Sequence, residues 1–231
     1  MKKDYEFKEG EVLLFNKPLH WTSFQLVNKV RWLVKRQLQI KKIKVGHAGT
    51  LDPLATGLMI LCTGKKTKEI DQHQAAEKEY IGTLKLGATT PSYDGETAEN
   101  QFFATQHITE GSIKKTMLTF HGNIQQIPPI FSALKVGGKK MYESARKGEK
   151  VAINPRSIHI KELEVLSINM PYITFKVACS KGTYIRSLAF DIGKALNSGA
   201  WLCKLQRTKI GEYSIDNAID IANFEEMMIS S

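Results

Sequence analysis

One carboxylate, that of Asp52, lies in a segment whose residue types do not suit regular structure. Residues 46–57 read GHAGTLDPLATG, with three glycines, one proline and apolar residues that keep no helical period. We therefore expect a shaped loop that presents Asp52. Since a residue before proline is disfavoured in the right-handed helical region, Pro53 holds the Asp52 backbone extended. A carboxylate held in this way can serve as a nucleophile or as a base.

The Asp52-Pro53 pair also has a purely structural interpretation. Aspartate is a common helix N-cap and proline is favoured at the first helical position, so the pair can begin a helix. The whole dodecamer favours the first interpretation, because it matches GHxGxLDPxAxG. In this it resembles the signature of the TruB family of pseudouridine synthases, which modify the T-loop of transfer RNA.

Further segments resemble motifs of the same family, and together they run from about residue 10 to residue 220. They are GxLxxxKPxGxTS in 10–23, K/R-x-Y at 78–80, QxPPxYSAxK at 126–135, YxxAR at 142–146, SxGTYIRSL at 180–188 and LxRTxxG at 205–211. The chain departs from these motifs at Asn16, where the family usually has Asp, at His20-Trp21, where a glycine is common, and at Phe131, where tyrosine is usual. The loop 87–95 keeps only part of a TDTxD-like pattern.

The resemblance implies a reaction and a set of site residues. Pseudouridine formation breaks the N1–C1′ bond of uridine and rejoins the base through C5, which requires no redox cofactor, phosphate donor or metal. Asp52 would attack the ribose or abstract a proton on a glycal route, and both choices stay open. Arg186 would keep Asp52 ionised, because an opposite charge favours the carboxylate. Tyr80 would stack on the base and help to remove the C5 proton.

The target uridine is stacked inside an RNA fold, so the resemblance also implies that it is flipped out. His47 would fill the vacated space, and Leu205 would close the pocket. The remaining predicted substrate-binding residues are Lys17, Lys135 and Tyr184. Structural explanations stand beside these roles: strand tyrosines usually pack, a loop histidine usually forms hydrogen bonds, and a surface arginine usually forms an ion pair of little energetic value.

The charge distribution favours an anionic partner. The chain has 231 residues, a net charge of +10 and, from residue 12 to residue 51, eight lysines or arginines with no acidic residue. Such a stretch is typical of a phosphate-contacting surface, and residues 139–147 predict a second one on a short basic helix. The resemblance to the TruB family implies that this partner is tRNA, bound through its T-stem-loop.

Two other classes of function stay possible on these residues. A hydrolytic glycosidase would need a second carboxylate, and the motifs offer only Asp52. A non-enzymatic RNA-binding protein explains the charge but not a carboxylate within a basic surface. The product distinguishes the three classes. A pseudouridine synthase leaves pseudouridine in the RNA, a glycosidase releases free uracil, and a binding protein leaves the RNA unchanged.

Other features exclude several classes of protein. The three cysteines are scattered without a CxxC pair, so neither a disulfide framework nor a structural zinc site is indicated. The N-terminus is polar and no apolar run reaches the length of a membrane span, which predicts a cytoplasmic protein without a membrane partner. We further expect a monomer without a small-molecule cofactor.

The patterns also predict local structure. We expect strands at 11–15, 58–62 and 79–86, a helix capped by Thr22 or Ser23, and a helix capped by Ser112. We also expect a hairpin of strands 158–168 and 172–179, followed by a helix from Tyr184. The fold implied by the resemblance is α+β, a pseudouridine synthase fold with a central mixed or antiparallel sheet, flanking helices and an active-site cleft. Residues 1–231 would form one catalytic domain without a C-terminal PUA domain.

Overall fold

The structure is a computed structural model that describes residues 5–132, 135–136, 139–141 and 153–229. Its helices are α1 (Ser23–Gln37), α2 (Ile70–Ala75), α3 (Glu110–Leu118), α4 (Ile185–Ala195) and α5 (Ile221–Ile229), with 3-10 helices at Gly64–Glu69 and Ile215–Asn217. Its strands are β1 (Val12–Lys17), β2 (Val45–His47), β3 (Ala55–Thr63), β4 (Lys78–Leu86), β5 (Ala88–Thr89), β6 (Gln101–Phe102), β7 (Gly122–Gln126), β8 (Lys135–Val136), β9 (Lys139–Lys140), β10 (Arg156–Asn169), β11 (Tyr172–Cys179), β12 (Ala200–Ile210), β13 (Tyr213–Ser214) and β14 (Ile219–Asp220).

The chain divides into two compact units. One comprises Met1–Tyr80 and Leu205–Ser231, and the other comprises Ile81–Lys204. Strands β4 and β12 each contain residues of both units. Each unit is described by itself below.

The first unit is built on a mixed set of strands. Strand β1 pairs with β14 in parallel and with β3 antiparallel, and β3 also pairs with β2 antiparallel and with β12 in parallel. Helix α1 packs against α5 and β2. It follows the predicted periodicity, because its apolar residues Leu26, Val27, Val30, Leu33 and Val34 are all buried.

A close approach of two strands explains a glycine of the motif. Gly57 of β3 lies opposite Arg207 of β12 and has a φ of +108°. A Cβ atom added at Gly57 would lie 2.3 Å from the Arg207 carbonyl oxygen, so only glycine fits there. The end of the motif therefore fixes the position of β12.

The second unit contains the predicted hairpin. Strand β10 pairs antiparallel with both β11 and β7, and β4 lies on the other side of β11. Helix α4 begins where the sequence predicts and is mostly buried at its N-terminal end. Sheet and helices together give the α+β class that the sequence predicts, with a mixed sheet.

The structure corrects three local predictions. The segment 46–57 is not a loop throughout, because its ends belong to β2 and β3, which pair with one another. Ser112 is not the cap of α3, because Thr109 caps it and Ser112 completes the capping box from inside the first turn. Lys139–Lys140 form a strand paired with β8, so the predicted helix does not begin there, and residues 142–150 lie outside the described residues.

Among the described residues, no helix combines the length and the apolar character that crossing a bilayer requires.

Candidate active site

Asp52 lies in a tight turn and not at the start of a helix. The Ala55 N–H donates to the Asp52 carbonyl oxygen at 3.0 Å, with Pro53 at the second position, where its fixed φ suits a turn. Strand β3 begins at Ala55, so the helix interpretation of the Asp-Pro pair is wrong. The Asp52 side chain is half-buried, which leaves part of it open to solvent.

The start of α1 holds this turn in place. The buried Ser23 hydroxyl accepts from the Leu51 N–H at 2.8 Å and donates to the Leu51 carbonyl oxygen at 2.9 Å. The His20 N–H donates to the Pro53 carbonyl oxygen at 2.8 Å. Residues on both sides of Asp52 are thus tied to a single segment of the chain, and the carboxylate is carried on a rigid backbone.

Lys17 brings a buried positive charge close to Asp52. Its side chain is fully buried, and Nζ donates to the carbonyl oxygens of Pro18 at 2.9 Å and Trp21 at 2.7 Å. Burial lowers the pKa of Lys17 to about 8, while the negative charge of Asp52 opposes this change. The ammonium therefore supports the ionised form of Asp52. Contact of Lys17 with substrate stays a prediction.

Arg207, the arginine of the LxRTxxG motif, is a second buried cation, and the sequence alone did not predict a place for it in the site. Its Nε donates to the Leu58 carbonyl oxygen at 2.7 Å, and Nη2 donates to the Gly49 carbonyl oxygen at 3.1 Å. Its charge lowers the pKa of Lys17, which shows that the two cations share one neighbourhood. Arg207 thereby ties β12 to both flanks of the Asp52 turn.

His47 lies at the end of β2. Burial lowers the pKa of its imidazole, the Gly49 backbone partly opposes this change, and the charge of Arg207 adds a smaller lowering. The Nδ1 atom is buried and has no hydrogen-bond partner within the part of the chain that the structure describes. Its predicted place in the space left by a flipped base stays a prediction.

Tyr80 is nearly buried in β4, with 8% of its surface exposed. The two residues before it are structural. The Lys78 ammonium donates to the backbone at the end of α2, to Gln74 and Ala76. Glu79 accepts from the Thr208 hydroxyl at 2.8 Å.

Leu205 is half-buried and lies opposite Ala55 in the parallel pairing of β12 with β3. The predicted pocket-closing residue therefore lies beside the end of the Asp52 turn. Its role in closing a pocket stays a prediction.

Arg186, in the second unit, is buried at the start of α4. Nη1 donates to the Ser92 carbonyl oxygen at 3.1 Å, and Nη2 donates to the Phe131 carbonyl oxygen at 3.1 Å. Nη1 also lies 3.3 Å from the buried carboxylate of Asp94. Arg186 is therefore not a surface residue, and the structural alternative of a surface ion pair is wrong. Its pairing with Asp52, which belongs to the first unit, stays a prediction.

Asp94 is the carboxylate that the sequence reasoning missed. Its Oδ1 accepts from the Glu96 N–H at 2.9 Å, and its carbonyl oxygen accepts from the Thr90 hydroxyl at 2.7 Å. The neighbouring Tyr93 has a φ of 63° and stacks on Phe190 of α4, with ring centroids 4.1 Å apart. This stacking fixes the turn that presents Ser92 and Asp94 to Arg186. The partial TDTxD-like pattern was the available signal.

Tyr184 is held through its backbone just before α4. Its N–H donates to the Gln126 side-chain oxygen at 2.8 Å, and its carbonyl oxygen accepts from the Gln126 amide nitrogen at 3.1 Å. Two of the predicted motifs are thus joined. The side chain of Lys135 lies outside what the structure describes, as do Tyr142 and Arg146 of the YxxAR segment.

The burial of Lys17 makes a testable difference to stability at alkaline pH. The unfolded chain keeps the Lys17 proton up to the ordinary pKa of 10.5, whereas the folded chain releases it at about 8. Between these values the unfolded state binds more protons, so raising the pH stabilises the folded state, by up to about 1 kcal/mol per pH unit. Chemical denaturation of Lys17→Met should lack this rise. The exposed Lys68→Met is the control and should retain it, and equal slopes for Lys17→Met and wild type would contradict the expectation.

Comparison with solved structures identifies the fold. The chain aligns with a TM-score of 0.69 and 28% identity to a chain of "a Cbf5-Nop10-Gar1 Complex", over 95% of this chain and 54% of that one. It also aligns with a TM-score of 0.67 and 26% identity to a chain of an "H/ACA RNP bound to a substrate RNA containing 2'-deoxyuridine", over 95% of this chain and 53% of that one. The chain therefore spans about half the length of these proteins.

Sequence comparison covers nearly the whole chain. It is 56% identical over 96% of its length to the tRNA pseudouridine synthase B of Parabacteroides distasonis, covering 95% of that protein. The identity to the Flavobacterium johnsoniae protein of the same name is 56%, over 96% of this chain and 98% of that one. The model of the "TruB family pseudouridylate synthase (N terminal domain)" matches residues 35–185, which include Asp52 and Tyr80. The chain belongs to the TruB family of pseudouridine synthases.

Proposed function

We propose that this protein isomerises uridine to pseudouridine at position 55, in the T-loop of tRNA. Membership of the TruB family and the tRNA pseudouridine synthases among its relatives support this function. The observation that carries it is the Asp52 turn: a half-buried carboxylate, clamped by Ser23, with the buried cations Lys17 and Arg207 nearby. This arrangement favours the ionised form of a carboxylate in a chain segment whose other charged residues are all positive.

The reaction conserves atoms and electrons. The N1–C1′ bond breaks, the base turns, a C5–C1′ bond forms, the C5 proton leaves and N1, now free of the sugar, gains a proton. Asp52 acts on the sugar, either as the nucleophile at C1′ or as the base of a glycal route, and it must be ionised in both. Lys17 and Arg207 favour that ionised state through their charge.

The other site residues receive roles within this proposal. Tyr80 stacks on the base, His47 replaces it in the RNA and Leu205 closes the pocket. Arg186 is the proposed catalytic arginine of the second unit. That residues 1–231 act as one catalytic domain stays a prediction, as do a cytoplasmic location and a monomeric state.

Substrate recognition gives the direct test. Phosphate contacts by the basic residues of α1 should make binding strongly salt-dependent, because each contact releases counterions. Base recognition should be confined to the loop nucleotides, since proteins read RNA sequence in single strands. We expect an isolated T-arm to be modified at the same uridine as full-length tRNA, with pseudouridine mapped in both RNAs at several salt concentrations. An inert T-arm beside an active tRNA would contradict this expectation.

The same assay distinguishes the alternative functions. Release of free uracil would identify a glycosidase, and binding without any change in the RNA would identify a binding protein.

The double charge reversal Lys35→Glu with Arg36→Glu should weaken binding to all RNAs without changing which uridine is modified. A changed target uridine in this variant would show that α1 reads bases.

A further inference from the structure

Bulky exposed side chains surround the chain segment that clamps the Asp52 turn. Leu19 is 48% exposed and Phe24 is 65% exposed, and His20 between them is also exposed. These three residues, which we call the rim, lie between the end of β1 and the first turn of α1. Lone exposed apolar residues are common, but two of them and an exposed imidazole within six residues of the chain, beside a candidate catalytic turn, indicate a binding surface.

The rim is joined to the Asp52 turn by backbone and side-chain hydrogen bonds. The His20 N–H binds the Pro53 carbonyl oxygen at 2.8 Å. Ser23, which directly precedes Phe24, binds both the N–H and the carbonyl oxygen of Leu51. Whatever contacts the rim is therefore held at a fixed distance from Asp52.

His20 keeps a strained backbone in this position. Its φ is 67°, in the left-handed region that glycine adopts without penalty and that other residues adopt rarely. Strain of this kind persists where the surrounding structure enforces it, and it clusters at functional sites. The imidazole at residue 20 is kept at a conformational cost that glycine would avoid, which points to a use for the ring.

The charge around the rim selects the class of partner. The rim lies within residues 12–51, which contain eight lysines or arginines and no acidic residue. Exposed aromatic or imidazole rings among cations are the groups on which unstacked nucleotides bind, with the rings stacking on bases and the cations contacting phosphates. Within this segment there is no carboxylate that would attract a basic protein segment, and the glutamate that reaches it from α5, Glu225, is already paired with Lys29.

We propose that Leu19, His20 and Phe24 bind the unpaired nucleotides that flank the flipped uridine. His20 and Phe24 stack on the bases, and Leu19 packs on their apolar edges. This inference rests on the proposed function, because it takes the RNA loop at Asp52 as the occupant. It adds a nucleotide-binding surface to the catalytic turn.

The test measures RNA binding separately from chemistry. In the Asp52→Asn background, a fluorescently labelled T-arm RNA is titrated with His20→Gly, His20→Asn and Phe24→Ser. Each should bind about tenfold more weakly, since one stacked base is lost. Asparagine tolerates the left-handed region, so His20→Asn removes the ring without adding strain. Melting temperatures verify folding, and His20→Gly should melt no lower than its parent protein.

The chain offers a matched control for each type of change. Gln39 also has a positive φ, of 51°, and Gln39→Gly repeats the backbone change after the end of α1. Phe102 is 75% exposed on β6, in a segment (94–103) with three acidic residues and no lysine or arginine, and Phe102→Ser repeats the loss of an exposed aromatic ring outside the basic segment. Both controls should bind the T-arm as tightly as the parent protein. Equal losses in rim and control variants would overturn the proposal.

A second measurement uses proteins that keep Asp52 and are therefore active. It tests the proposed role of the rim separately from the proposed function. Rim variants should raise KM about tenfold and leave kcat at saturating RNA unchanged, as expected for lost uniform binding. If the rim variants have unchanged Kd and KM, the rim does not bind nucleotides, and the proposed function is unaffected. A wild-type protein that forms no pseudouridine would overturn the proposed function itself.

Discussion

We expect Asp52→Asn to abolish pseudouridine formation by this protein while folding and tRNA binding survive. Asparagine has nearly the shape of aspartate, and the turn at residue 52 depends on its backbone carbonyl oxygen, which the substitution keeps. What disappears is the negative charge and the nucleophilic or basic oxygen. Because removal of a nucleophile typically removes most of an enzyme's rate, we expect turnover to fall by at least about 10³-fold.

The measurement detects the release of the hydrogen at C5 of uridine, which the reaction replaces with the bond to the sugar. RNA labelled with tritium at C5 of uridine releases tritium into water when C5 bonds to the sugar, and single-turnover release reports chemistry alone. Asp71→Asn is the matched control, because Asp71 is an exposed aspartate of α2 in the same unit, and it should release tritium at the wild-type rate. Undiminished release by pure Asp52→Asn would remove Asp52 from the catalytic role.

Local patterns in the sequence predicted the parts of the site that depend on neighbours in the chain. The Asp-Pro segment is identifiable because glycine and proline act on the backbone around them. Helix α1 is predictable because its buried residues recur with the helical period. Its cap at Thr22 follows from the same local chemistry, since a threonine hydroxyl there accepts from the Gln25 N–H.

The parts of the site that depend on distant residues were not predictable. Asp94 and Arg186 are far apart in sequence, and the turn that joins them requires the stacking of Tyr93 on Phe190. The burial of Lys17 is equally hidden, because a lysine in a basic segment is normally expected at the surface. The positive φ of His20 was hidden too, because His20 is hydrogen-bonded to Pro53, a residue 33 positions away in the sequence.

We expect Arg186→Lys to lower turnover more than it lowers tRNA affinity. The guanidinium of Arg186 serves three acceptors at once: the carbonyl oxygens of Ser92 and Phe131, and the carboxylate of Asp94. Lysine keeps the charge but loses the planar fork, so it cannot satisfy all three with the same geometry. A loss of affinity alone would instead identify Arg186 as a phosphate contact.

Asp94→Asn should lower turnover, as Arg186→Lys does, and it should also destabilise the protein. It removes the negative charge of Asp94 from beside the buried guanidinium of Arg186, and breaking a buried pair in this way costs about 3 kcal/mol. Thermal or chemical denaturation measures that cost. The control is Glu164→Gln, which breaks the exposed pair with Lys176 at 2.8 Å in the same unit and should change stability by less than about 1 kcal/mol.

A double variant separates the catalytic from the structural role of the pair. Arg186→Met with Asp94→Leu removes both charges and fills a similar volume, so it should recover part of the stability that Asp94→Asn loses. Turnover should nevertheless stay as low as in the single variants, because the double variant still lacks the Arg186 guanidinium even where its stability is recovered. If activity returned together with stability, the pair would only support the fold, and Arg186 would have no part in the chemistry.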